Sequence, residues 1–323
     1  MADQARGIQT SIAIFEEDTF GADPGVPDGQ KIYVTSFGLA KSQNRIDSET
    51  LSNSRGRVEP FLGNINASGS VATEMAAESS GTLFKHLMGV NTTTGSGPYS
   101  HALTIGDLPT SLMFELDYGS AIVGTGRYAK YNGCKINNAS FDFPTEGACT
   151  ASFDVVGVDA VLAAAPLDAS LTDNGATTFS SFSASIEEGG VAIASVKSVS
   201  MTVANGLDEG SYVIGSGGKR VSLPDGFSTV SGTLTAVFDS TDLMNKALGD
   251  TETSLKITVA RGDGLGTAGN ESIEFLVQQM KYDPTTPSVN GPGGIEIALP
   301  FKAYKIGTDL GLAITLKNNV ATI

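Results

Sequence analysis

Arg57-Val58-Glu59-Pro60-Phe61-Leu62-Gly63-Asn64-Ile65-Asn66-Ala67-Ser68-Gly69 places an arginine and two glycines six positions apart, and the same frame returns as Arg220-x5-Gly226-x5-Gly232. Behind Gly69 the even offsets are Val71, Thr73 and Met75; behind Gly232 they are Leu234, Ala236 and Phe238. Both runs alternate as half-buried strands do. The first copy then carries Leu83, Phe84, Leu87 and Met88 before Gly89, and the second carries Leu243, Met244, Ala247 and Leu248 before Gly249. That spacing makes one apolar helix face, closed by a glycine suited to the left-handed conformation past a helix end. Strand, helix and stop recur in one order, so the chain reads as a duplicated building block.

With 323 residues the chain has room for two units of ordinary size. Thirty-nine glycines, 17% charged residues and short apolar runs broken by Gly, Asn, Asp and Pro predict an all-β fold with short flanking helices. A formal charge of −15 speaks against gripping nucleic acid, because duplex binding needs cations that displace counterions. It fits a soluble surface, or a channel that must not hold a polyanion. The absence of tryptophan weakens a carbohydrate cleft. The first residues lack a basic start followed by an apolar stretch, and no run reaches the ~18 apolar residues of a membrane helix. The expectation is therefore a protein made in a cytoplasm, where Cys134 and Cys149 stay unpaired as small buried residues.

Along the chain, a leader with a strand at Ile12 to Phe15 precedes a loop from Gly21 to Gly29 and a strand from Lys31 to Leu39. Lys41 to Arg57 is polar and predicts an exposed loop or extended hairpin, with Asn205 to Arg220 as its counterpart. Thr92 to Pro98 reads as a polar loop; Ser111 to Tyr118 and Ala121 to Val123 read as strands around a turn at Gly119. Phe141 and Phe143 alternate with polar neighbours, as do Ala151, Phe153 and Val155, predicting a hairpin through Pro144 to Gly147. The second copy closes alike with Ile295, Ile297, Leu299 and Phe301. Val161 to Pro166 and the polar Asp168 to Thr178 form a linker, so the boundary falls between residues 1–168 and 169–323.

Catalytic patterns fall short. Gly215-Ser-Gly-Gly-Lys219-Arg220 lacks the first glycine and the hydroxyl residue of a phosphate-binding loop. His86 and His101 have no partner at ligand spacing, so neither a metal nor a cofactor is expected. Arg261-Gly-Asp263 matches a cell-adhesion tripeptide inside what reads as a long hairpin loop. No pair of carboxylates and no strained serine elbow stands out, and no catalytic residue is assigned.

The run from Ser54 to Glu74, followed by Leu83-Phe-Lys-His-Leu-Met-Gly89, resembles the phage tail tube protein family, the major tail proteins of long-tailed phages. Glu17-Asp-Thr-Phe-Gly21 is similar to that family's entry segment, and Gly226 to Gly249 with Ile295 to Ala303 to its C-terminal half. The resemblance implies two tandem β-sandwich or half-barrel units whose sheets join into a closed β-barrel ring, with rings stacked into a tube for DNA ejection. It implies a virion protein without catalysis, assembled in the host cytoplasm. Its partners are then further copies of itself and the terminator, tape measure and distal tail proteins. Passing DNA is contacted without specific binding, and no membrane is involved. The loop at Lys41 to Arg57 is then the segment that reaches the adjacent ring.

Edge strands are sticky unless covered, and closing a ring covers them. Two units per chain predict a trimeric ring with pseudo-sixfold symmetry. Within it Gly63, Gly69, Gly226 and Gly232 mark bulges or close backbone approaches, and Gly89 and Gly249 mark helix stops. Arg57 and Arg220 are either partners for acids of a neighbour or solvated residues at a strand start. A different β-sandwich assembly, such as an adhesin or decoration protein, is the alternative function; a carbohydrate-active enzyme is a third.

Overall fold

Among the described residues the chain forms nineteen strands and two short α-helices, most of the longer strands alternating buried and exposed residues. The computed structural model describes residues 4–289, 291–307 and 311–323, so the first three leader residues lie outside it. The first half holds β1 (Ser11–Glu17), β2 (Gln30–Ile32), β3 (Ser36–Phe37), β4 (Ala40–Ile46), β5 (Phe61–Glu74), α1 (Gly81–Met88), β6 (Gly89–Gly95), β7 (Tyr99–Ile105), β8 (Ser111–Asp117), β9 (Tyr128–Phe143), β10 (Thr150–Gly157) and β11 (Asp159–Ala163). The second holds β12 (Ala184–Glu188), β13 (Val191–Ala192), β14 (Val196–Ala204), β15 (Thr229–Val237), α2 (Asp242–Leu248), β16 (Thr253–Ala260), β17 (Ser272–Tyr282), β18 (Glu296–Ala303) and β19 (Leu312–Asn318).

Strand pairing passes through the same series twice. In the first half β2 pairs with β1, β1 with β8, β8 with β9, β9 with β10 and β11, β10 with β5, and β5 with β3 and β4. In the second, β13 pairs with β12, β12 with β16, β16 with β17, β17 with β18 and β19, β18 with β15, and β15 with β14. The long strands β9 and β17 each serve two groups of neighbours along their length. One hairpin has no counterpart: β6 pairs with β7, and β7 adds to β19 of the other half. A second bond between halves is direct, β9 against β14 from Phe143–Val199 to Asn138–Ala204.

These pairings make a continuous ribbon in the order β4, β5, β10, β9, β14, β15, β18, β17, with β3 beside β4 on the same edge. The sheet is open, not closed within one chain. One face of the ribbon is apolar: Thr73, Ala151, Phe141, Met201, Gly232, Phe301 and Tyr282 lie in a single cross-strand row. A single buried cluster contains residues of both halves. Phe275 of β17 packs with ring centroids 5.0 Å from Phe141 and 6.0 Å from Phe84, so the second half reaches into the aromatic centre of the first. Edge-to-face geometry adds to the burial of these rings.

Each helix is tied to the first strand of its own half by an ion pair. Glu16 of β1 accepts from Lys85 and from His86 Nε2 at 2.8 Å, and Glu188 of β12 accepts from Lys246 and from Thr253. Burial lowers the pKa of His86, so it is neutral at pH 7 and donates its Nε2–H. Burial opposes charge on Glu16, but the bonds from His86 and Lys85 outweigh it and bring its pKa down to about 2.

The strand expected from Lys31 to Leu39 is two short pieces, β2 and β3, because the chain changes partner across Tyr33 to Thr35, from β1 to β5. Lys41 to Arg57 does form an extended hairpin, with β4 paired to the start of β5. Thr92 to Pro98 is not wholly a loop, since β6 runs to Gly95, and Ala121 to Val123 is a turn, not a strand. The partner of β8 begins only at Tyr128.

The glycines differ in what they accommodate. A Cβ at Gly69 would sit 2.1 Å from the Gly38 carbonyl oxygen, and one at Gly232 would meet the Ser200 carbonyl at 2.3 Å and the Phe301 ring at 2.5 Å. At Gly63 the obstacle is the exposed side chain of Asn44, and at Gly226 the Gly206 carbonyl at 2.7 Å. Gly89 has φ +98°, as a left-handed stop requires, but Gly249 has φ −83°, and it is Asp250 at φ +50° that turns left-handed. Four residues, Gly249 to Glu252, then lead straight into β16, whereas Gly89 starts an inserted hairpin.

Gly69→Ala is expected to cost about 2–3 kcal/mol, since backbone must move. Gly63→Ala should cost under about 1 kcal/mol because a side chain can swing away; urea unfolding midpoints compare them, and equal costs would contradict the close-approach account. Glu16 has a depressed folded pKa, so its contribution is complete above the unfolded value of 4.5 and is lost as pH falls towards about 2. Its side chain is half exposed, so screening reduces that contribution to about 1 kcal/mol. Thermal melts of Glu16→Gln should therefore lie below wild type at pH 7 and converge on it near pH 2; a constant gap would contradict this.

Candidate functional site

The face of the ribbon opposite the core carries half-buried and exposed residues. Side chains alternate along a strand, so Phe141, Met201 and Phe301 pointing inward send their neighbours outward. One row reads Ser36, Ala72, Ser152, Ser140, Thr202, Ser231, Lys302, Lys281 across eight strands. A second reads Glu74, Thr150, Asp142, Ser200, Thr233, Pro300, and a third Ser70, Asp154, Asn138, Ala204, Thr229. Hydroxyls satisfy one another across the strands, as Ser70 Oγ and Ser152 Oγ do at 2.8 Å.

This surface is smooth and short-chained. Glu74, Asp142 and Asp154 gather in the part made by the first half, while Lys302 and Lys281 lie together at the far edge, Lys281 bonded to Asp250 at 2.6 Å. A phosphate-gripping surface would interleave arginines, lysines and aromatic platforms. Here hydroxyl and carboxylate groups hold most positions, so a polyanion finds little to bind.

One end of the ribbon is an edge, and at the other β17 is paired with β16 as far as Met280, so that only the chain beyond Met280 forms an edge there. At one end lie β3 and β4, with residues 40–46 largely exposed. At the other, β17 ends at Tyr282 and the chain continues beside β18 through Asp283, whose N–H donates to the Pro300 carbonyl at 2.8 Å. Pro284 and Pro287 follow, residues that blunt an edge against indiscriminate pairing.

The two arginines of the repeat have different surroundings. Arg220 is buried, and it clamps the halves together. Its Nε donates to the Glu209 carbonyl at 2.9 Å, Nη1 to the Gly157 carbonyl at 2.9 Å and Nη2 to Asn66 Oδ1 at 2.8 Å, while Tyr212 stacks on the guanidinium. Around it Asn205 donates to the carbonyls of Leu87 and Ile136 at 3.0 Å. Asp159 bridges Lys41 of one half and Lys219 of the other; burial opposes its charge, and the two lysines more than offset that and lower its pKa. Arg57 is exposed and pairs with Asp47 of its own hairpin. The spacing of the motif pointed to both arginines; nothing in it separated the buried one from the exposed one.

The remaining motifs are structural in place. Arg261 lies between Glu78 and Glu271 with its guanidinium over Phe179, so the adhesion-like tripeptide turns its arginine inward. Both histidines are buried: His101 donates from Nε2 to the Val320 carbonyl at 2.8 Å and accepts from Thr93 at Nδ1. Gly215 to Arg220 is a turn closed by the Tyr212–Arg220 bridge. Cys134 and Cys149 are free and buried, and burial pushes the Cys149 thiol up to about 11. Among the described residues no three His, Cys, Asp or Glu side chains are grouped to hold a metal ion, and no helix is long and apolar enough to cross a membrane.

No curated protein matches the chain. The family model of the phage tail tube protein matches residues 7–303, nearly the whole length. With its β-architecture, open small-polar face and two free ribbon edges, the chain belongs to the phage tail tube protein family, structural proteins of the virion tail.

Proposed function

We propose that the chain is two tandem tube units, 1–168 and 169–323, and that three chains close into one ring whose lumen is the small-polar face. The carrying observation is the internal joint. The ribbon is a four-strand unit, β4·β5·β10·β9, followed by its counterpart β14·β15·β18·β17, joined by six residue pairs of β9 with β14. The ends left over are the same two kinds of edge that meet at that joint. A second copy can therefore continue the sheet, its β3 and β4 taking the place of β14 beside the end of β17. Val199 and Phe37 hold equivalent positions, opposite the residue two past Gly232 and Gly69 respectively.

Size supports a ring of several chains. A barrel closed from the eight strands of one ribbon would be filled by its own side chains. Three times eight strands, at about 4.8 Å spacing and about 40° tilt, enclose a backbone barrel roughly 45–50 Å across. That leaves an aqueous passage for a nucleic-acid duplex, lined by groups that do not hold phosphates. Rings then stack, with the tip of the β4–β5 hairpin, residues 48–56, reaching the next ring; terminator, tape measure and distal tail proteins bound the tube. This supports the conduit for DNA ejection over an adhesin, since the three cross-strand rows of the small-polar face carry no aromatic side chain.

Native mass spectrometry of tubes dissociated to single rings should give three chains; six would overturn the two-unit ring. Placing lysines in mid-row with Ser140→Lys and Thr202→Lys should leave tubes intact but make them retain duplex DNA at low salt and slow ejection from virions. Unchanged ejection and no DNA retention would contradict a luminal position for this face.

A further inference from the structure

The arginine of the second repeat copy spans the internal joint, binding β10 and β5 of the first half through Gly157 and Asn66. The arginine of the first copy stands at the same place in its motif, six residues before the first glycine, and its side chain is 66% exposed where that of Arg220 is 4% exposed. Both keep an acid just upstream, Asp47 for Arg57 and Glu209 for Arg220. What Arg57 lacks within the chain is the pair of acceptors across a joint.

The register says where those acceptors would be. Phe301 faces Gly232 as Val155 faces Gly69, so Ala303 stands where Gly157 stands; Thr229 precedes Gly232 by three residues as Asn66 precedes Gly69. Thr229 is exposed and Ala303 half-buried in the single chain. We infer that Arg57 is a clamp between subunits, donating to the Ala303 carbonyl and the Thr229 hydroxyl of a second copy of this chain. It rests on the ring proposed above, and it assigns to one exposed residue the task of locking each new joint. A guanidinium suits this task because its fixed fork serves two acceptors at once, which an ammonium on a flexible stem does less well.

The test uses full-length protein with Arg57→Ala and Arg57→Lys. Monomer melting should match wild type for both, because Arg57 makes a single exposed ion pair. The protein concentration below which tubes fall apart should rise at least tenfold for Arg57→Ala, with Arg57→Lys recovering only a small part. Arg57→Cys with Thr229→Cys, treated with a short bismaleimide after assembly, should give a covalent ladder ending at three chains; the native cysteines are buried and stay silent. Arg57→Ala tubes as stable as wild type, full recovery by lysine, or tubes that form without the cross-link would each overturn the clamp and leave the ring standing. Failure of wild-type protein to form rings would overturn the ring itself.

Discussion

Backbone pairing between β9 and β14 is the interaction on which the rest depends. It turns two four-strand units into one ribbon, sets the apolar residues Phe141 and Met201 side by side on the core face, and sets Ser140 beside Thr202 on the other. Arg220, Asn205 and Asp159 seal the joint with bonds that pass from one half to the other. Phe275 adds a packed ring from the second half to the aromatic cluster of the first. Remove that joint and both halves expose an unpaired strand edge over an incomplete core, the condition that edge strands are normally shielded from.

A ribbon with one apolar and one small-polar face can meet two demands at once. Large side chains on the inner face supply the burial that stabilises the chain, at roughly 25 cal/mol per Å² of apolar surface removed from water. The outer face carries mainly serine, threonine, asparagine and alanine, which need little room and bind phosphate weakly. The two properties follow from the same alternation along β5, β10, β9, β14 and β15. The open face is therefore determined by the period of the strands and not by a separate set of residues.

Much of this was legible in the sequence because local period and turn chemistry act over short distances. The runs behind Gly69 and Gly232, both helices, and the hairpins closing each half are local features. β6 was hidden because Val90 and the Asn/Thr run behind it face solvent almost throughout, so no buried alternation marks a strand. The break between β2 and β3 depends on a change of partner from β1 to β5, and β5 is distant in sequence. The different lives of Arg57 and Arg220 were likewise out of reach, since identical spacing says nothing of what lies across a joint. Neither was the tie of Glu16 to Lys85 and His86 visible, although the acid before the loop and the basic pair on the helix were both in plain view.

The central claim is that the joint inside the chain is also the joint between chains. A cryo-EM reconstruction of the assembled tube, at a resolution that places side chains, tests it most directly. An unbroken sheet is predicted in which Phe37 and Leu39 of one chain lie against the segment following Tyr282 of its neighbour, drawn into the sheet in the antiparallel arrangement that Val199 and Met201 have with Phe143 and Phe141. Subunits joined instead through β6, β11 or β13, or a sheet interrupted between chains, would contradict it.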